Sequence, residues 1–75
     1  MGKVLLNRIR AVLAEAGLNQ KDLFNRINER KKISYNSVTA WCRNDAQPDL
    51  ATLWLIAEVL NVSVRSLIVD NKRKD

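Results

Sequence analysis

A chain of 75 residues carrying a net charge of +5 is one domain at most, and at that size folding buries only about 60% of the unfolded surface, so the core is thin. One cysteine and no histidine exclude an intrachain disulfide and the usual spaced Cys/His metal sets. No apolar stretch approaches the roughly 20 residues of a membrane span, and the start lacks a signal peptide's apolar run, so the expectation is a soluble, cytoplasmic protein with no membrane partner, metal or cofactor.

Glycine occurs only at 2 and 17 and proline only at 48, so no linker or repeat interrupts residues 1–71, which read as one domain followed by a basic, frayed tail, 72–75. Val4, Leu5, Ile9, Val12, Leu13 and Ala16 recur at helical spacing and predict a first helix over 3–16, closed by Gly17 in a left-handed conformation. Three further starts share one grammar: a polar cap between residues that can form a hydrophobic staple. Leu18 and Leu23 bracket Asn19, Ile33 and Val38 bracket Ser34, and Val62 and Leu67 bracket Ser63. Pro48 and Leu53 around Asp49 form a weaker version. The predicted helices are 20–28, 35–43, 50–60 and 64–69. In the fourth helix Leu50, Leu53, Trp54, Ala57 and Leu60 make one wide apolar face, and Asn61 can close it in a left-handed turn. Val62 to Val69 contains β-branched residues, but its cap and the Leu67/Ile68 pair favour a short helix. With connections this short and no convincing period of two, the fold class is all-α, a compact bundle of five helices.

The positive charge is localised. Residues 19–44 carry +4, from Lys21, Arg26, Arg30, Lys31, Lys32 and Arg43 against Asp22 and Glu29, whereas residues 45–71 carry −3. An excess of this kind is what phosphate neutralisation requires, although ordinary solvated surfaces are also basic. Two short helices joined by a polar turn within a small basic bundle suggest a helix-turn-helix over Asn19 to Asn44.

The run Gly17-Leu18-Asn19-Gln20-Lys21-Asp22-Leu23, then Ile33-Ser34-Tyr35-Asn36-Ser37-Val38 with Trp41, then Pro48 with Leu53 and Ala57, then Leu60-Asn61-Val62-Ser63 with Leu67, resembles the Cro/cI-like (Xre) family of lambda-repressor-like domains. The resemblance covers about residues 5–69. It implies a five-helix lambda-repressor-like fold and sequence-specific binding of double-stranded DNA by a small transcriptional regulator. It also implies that Gln20 meets a backbone phosphate, with help from the amides at a helix start. Ser34, Tyr35, Asn36, Thr39 and Ala40 fall where the family's recognition helix faces the major groove, with Ser34 on the phosphate side. Asparagine can pair bidentately with adenine, and Thr39 can hydrogen-bond a base or pack on a thymine methyl. Ala40 offers only an apolar contact, while Arg43 and the basic turn Arg30-Lys31-Lys32 are phosphate candidates. A helix this short reads few base pairs, so a dimer on two half-sites is expected; the resemblance places its contact at Asn61 to Val69, the alternative being that Leu67 and Ile68 belong wholly to the core of a monomer. The sequence departs from the family in three places. The link between Ile27 and Ile33 is about four residues longer and resembles that of the POU-specific variant, Cys42 stands at an often acidic position, and Asn44 replaces a common glycine.

Plainer roles compete with these. Tyr35 can cover a core edge, Asn36 can support the Ser34 cap, Thr39 can satisfy its hydroxyl on the preceding turn, and the basic turn can be mere solvated surface. Trp41 and Trp54 fit core spacing. Cys42 has no histidine to deprotonate it, and no paired carboxylates or glycine-rich loops occur, so the chain is not expected to be an enzyme. Lys72, Arg73 and Lys74 can fray or reach DNA. The alternative function is an antitoxin-like protein-interaction module, with or without autoregulatory DNA binding.

Overall fold

Each of the three longer helices starts where a short polar side chain replaces the missing preceding turn. Asn19, Ser34 and Asp49 lie in extended backbone and accept hydrogen bonds from the amides of Asp22, Ser37 and Thr52, each cap contributing about 1 kcal/mol. At Asn19 the arrangement is reciprocal, because the Asp22 carboxylate accepts the Asn19 N–H at 2.9 Å. In the computed structural model, which describes residues 4–70, these caps open helices α2 (Gln20–Asn28), α3 (Tyr35–Arg43) and α4 (Leu50–Leu60). They follow α1 (Ile9–Glu15), and a 3-10 turn, Val64–Leu67, capped by Ser63, completes the order.

Helix ends are set as consistently as helix starts. Gly17, Asn44 and Asn61 all have positive φ, between 57° and 73°, and the amide that follows each one bonds back into the helix: Leu18 to Leu13, Asp45 to Ala40 and Val62 to Ala57, each at 2.9 Å. This left-handed closure caps carbonyls that the helix cannot satisfy itself.

The core sits between the four helices. Ile9, Leu23, Ile27, Val38, Ile56 and Leu67 are fully buried, and Val12, Leu13, Trp41, Leu53, Ala57 and Leu60 surround them. Helix α2 packs on both α3 and α4, while α1 leans on α2, α3 and the 3-10 turn. No described helix is long and apolar enough to cross a membrane.

Three expectations are corrected. The first helix starts at Ile9, not at residue 3, because the chain before it is extended and pairs with the C-terminal segment. Asn7 and Ile68 form an antiparallel bridge, flanked by Arg8 N–H to Leu67 O at 2.8 Å and Val69 N–H to Leu6 O at 2.9 Å. Val4 and Leu5 therefore lie exposed, and so does Ala16. The same pairing removes the fifth helix, since the backbone turns extended at Ile68 after four residues of 3-10 turn, so the described residues form four α-helices rather than five. The third correction concerns the phase of α4. Its buried face is Thr52, Leu53, Ile56, Ala57 and Leu60, while Leu50 and Trp54 are 72% and 60% exposed. Nearly every position of this helix is apolar, so spacing alone does not choose which stripe faces inward. Trp41 occupies the core as expected. The tail 72–75 lies outside the described residues.

Candidate nucleic-acid interface

Burial of Val38, Trp41 and Cys42 fixes the orientation of α3. Tyr35 and Asn36 are then exposed, Thr39 and Ala40 half-buried, and Arg43 exposed at the C-terminal end. The Tyr35 ring also meets Phe24 of α2 edge to face, with centroids 5.4 Å apart, so it covers a core edge and still presents 45% of its surface. Ser34 is supported by Ser37, whose hydroxyl lies 3.0 Å from the Ser34 hydroxyl, not by Asn36. The Asn36 amide has no intramolecular partner among the described residues.

Gln20 and Thr39 interlock. The Gln20 side-chain amide donates to the Thr39 hydroxyl, which itself donates to the Tyr35 carbonyl at 3.2 Å. The start of α2 is thereby hooked to the middle of α3, and the two residues predicted for separate duties, phosphate and base, stand side by side.

The long turn is a built element. Arg30 and Lys31 amides both bond to the Ile27 carbonyl at 2.9 Å. The Arg30 guanidinium pairs with Glu58 of α4 at 2.9 Å, and the Lys31 ammonium donates to the buried Thr52 hydroxyl at 2.6 Å. Two of the three predicted phosphate ligands in the turn are thus directed back to α4, which latches the turn. Lys32 is exposed, with no side-chain partner among the described residues.

Two features escape a reading confined to Asn19–Asn44. A concave surface of about 560 Å³ brings Arg10 of α1 beside Asn19, Gln20 and Arg43. It is flanked at the amide end of α2 by the guanidiniums of Arg10 and Arg43, the latter paired with Asp45 at 3.4 Å. The available signal was Arg10 itself, a cation on the outer side of an amphipathic helix. The second feature is an amide network. Asn44 Oδ1 accepts from the amides of Leu6 at 2.9 Å and Asn7 at 3.0 Å and from Gln47 Nε2 at 2.9 Å, while its Nδ2 donates to Asn7 O at 3.2 Å. The buried Asn7 side chain donates to Trp41 O at 2.9 Å and Gln47 Oε1 at 2.7 Å, and accepts from Ile9 N–H at 3.0 Å. Asn7 thereby holds the first amide of α1, whose N-cap position is Arg8, and, together with Asn44, bolts the end of α3 to the N-terminal segment.

Burial raises the Cys42 thiol pKa above its ordinary value, against a smaller opposing effect of Arg10, which disfavours the nucleophilic thiolate. No cluster that could hold a metal ion occurs among the described residues.

The sequence matches the family model described as helix-turn-helix over residues 9–67. Among solved structures it is similar to a Bacteroides fragilis protein provisionally described as DNA-binding, at 42% identity and a TM-score of 0.73, with 85% of this chain and 97% of that chain covered. No curated protein gives a significant match.

Proposed function

Because the chain belongs to the helix-turn-helix family, in its Cro/cI-like (Xre) form, we propose that it is a sequence-specific double-stranded DNA-binding protein, a small transcriptional regulator reading the major groove with α3. The observation that carries this reading is the polarity of α3: its apolar side is buried while Tyr35 and Asn36 face outward. The description of the Bacteroides fragilis protein as provisionally DNA-binding supports the same ligand class.

In this reading Asn36 makes the bidentate base contact, since its amide is unengaged; Tyr35 and Ala40 supply apolar contact, and Thr39 presents its methyl group. Gln20, Ser34, Lys32, Arg43 and Arg10 meet phosphate and set position. Arg30 and Lys31 act first as latches of the turn. A dimer on two half-sites gives useful affinity, with the contact at or beside Asn61 to Val69.

Selection from a random duplex library at physiological salt tests the proposal, with a palindromic consensus as the expected result. Asn36→Ala should cost about 1–3 kcal/mol on the selected site and relax preference at one base pair. Absence of any enriched sequence would sink the regulator reading. The alternative, a protein-interaction module, draws on the exposed pair Leu50 and Trp54. Partner capture that survives nuclease treatment, with no retardation of any DNA fragment, is its distinguishing outcome.

A further inference from the structure

The long turn between α2 and α3 is fastened to α4, by Arg30 on Glu58 and Lys31 on the Thr52 hydroxyl. A tight turn fixes the angle between two helices by its own geometry, whereas a turn of this length leaves the angle to side chains. Two pairs of them meet here. Gln20 of α2 donates to Thr39 of α3, and Phe24 of α2 meets the Tyr35 ring of α3 edge to face. Gln20 and Phe24 stand one turn apart on their helix, as Tyr35 and Thr39 do on theirs, and the pairs run crosswise, the first of one helix with the last of the other. We propose that these four side chains form a clasp that sets the angle of α3, and that Thr39 is a positioning residue in DNA binding, acting through Gln20 and not by hydrogen-bonding a base.

Proton accounting decides what Thr39 can do. Its hydroxyl carries one hydrogen, which goes to the Tyr35 carbonyl at 3.2 Å. Toward Gln20 it can therefore only accept, and the Gln20 amide must present Nε2, not Oε1. A mid-helix threonine bonded to its preceding turn is commonplace; here the same bond aims the remaining lone pairs at a second helix. Gln20 keeps one amide hydrogen for a phosphate oxygen, and its side chain has no other bond among the described residues. Thr39 has no hydrogen left to give a base.

The clasp deepens the DNA reading, on which its use, though not its existence, rests. Leu23, Ile27 and Val38 are buried between α2 and its neighbours, but apolar contact is non-directional and tolerates small rotations. A hydrogen bond is directional, so the Gln20–Thr39 bond fixes what packing leaves free. A phosphate held by Gln20 is thereby tied to the middle of α3, and the contact that sets position moves as one body with the helix that reads bases.

Double-mutant cycles on Gln20→Ala and Thr39→Val in the full chain, with Thr39→Ser as the variant that keeps the hydroxyl, test this in two assays. Valine is branched like threonine and fits the same helix position without a hydroxyl. In urea unfolding without DNA, each change should lower the folding equilibrium constant about fivefold and the double variant little further, while Thr39→Ser stays near the parent. Binding is then measured on the duplex selected from the library and on a mixed-sequence duplex. Gln20→Ala and Thr39→Val should each weaken both by about five- to tenfold, and the double variant no further. Base preference should be unchanged, and Thr39→Ser should restore the affinity. If Thr39→Val fails to fold, Gln20→Met and Thr39→Ala complete the same cycle. Additive losses in either assay overturn the proposal. So does a Thr39→Val that relaxes preference at one base pair and spares the mixed-sequence duplex, since that is the behaviour of a base reader. A parent that binds neither duplex faults the DNA reading and the positioning role with it, while coupled losses in unfolding would still establish the clasp.

Discussion

Replacing Asn44 with glycine separates two roles that one residue combines. Asn44 and Asn61 share a left-handed backbone, with φ of 61° and 57°, and both close a helix. Only Asn44 uses its side chain, which accepts from Leu6, Asn7 and Gln47 and donates to Asn7; that of Asn61 has no partner among the described residues. Glycine relieves left-handed strain but gives the unfolded chain more freedom, two effects of about 0.5–1 kcal/mol that nearly cancel. Asn61→Gly should therefore leave stability within about 0.5 kcal/mol of the parent. Asn44→Gly additionally strips two partly buried bonds to Asn7, at about 1 kcal/mol each, while the exposed Leu6 amide finds water. The net loss is about 2 kcal/mol, or about 10 °C in Tm for a domain of this size. Thermal and urea unfolding followed by circular dichroism measure both variants. Equal stabilities for Asn44→Gly and Asn61→Gly would refute the claim that the amide network, rather than the backbone conformation, holds the end of α3.

Lys32→Ala should lower the salt dependence of DNA binding by about one phosphate's worth of slope, whereas Arg30→Ala should leave the slope nearly intact and cost at most about 1 kcal/mol of stability, as exposed pairs do; competition binding across a salt series distinguishes them. The Asp49 pKa is lowered chiefly by its hydrogen bonds with Thr52, side chain first and backbone second, against an opposing desolvation effect, with a smaller lowering contribution from Lys31. Its cap therefore contributes in full above the unfolded aspartate pKa of about 3.9 and is lost as pH falls through the lower folded value. Asp49→Asn should flatten that acid limb of a stability-pH curve. Native Cys42 should react with a thiol reagent much more slowly than the urea-unfolded chain at the same pH, and equal rates would contradict its burial. With Trp41→Phe, the remaining fluorescence should be red-shifted and readily quenched by iodide, as the exposure of Trp54 demands.

What the sequence discloses here is mostly short-range chemistry. Asn19, Ser34, Asp49 and Ser63 were legible as caps because a cap bonds two or three residues away, and Gly17 and Asn61 as helix closers because few other residues accept positive φ. Asn7 was not legible. Its partners Trp41 and Gln47 lie 34 and 40 positions along the chain, and no local pattern announces such a pairing. The same holds for the start of α1, decided by strand pairing with Ile68, and for Arg30 and Lys31, whose partners on α4 turn two apparent phosphate ligands into fasteners. Trp54 escaped for another reason: a helix apolar on almost every side gives spacing nothing to choose between.

The bridge between Asn7 and Ile68 also bears on the order in which the molecule assembles. Arg8 reaches the Ser66 carbonyl across 58 positions, so this contact closes one of the longest loops in the chain, and its entropic cost is met only after the helices between have condensed. It should form late in folding and be among the first contacts to open in native-state hydrogen exchange. Each such opening would loosen the anchor of α3 through Asn7 and Asn44, so that opening of the bridge is transmitted to the helix in the middle of the chain.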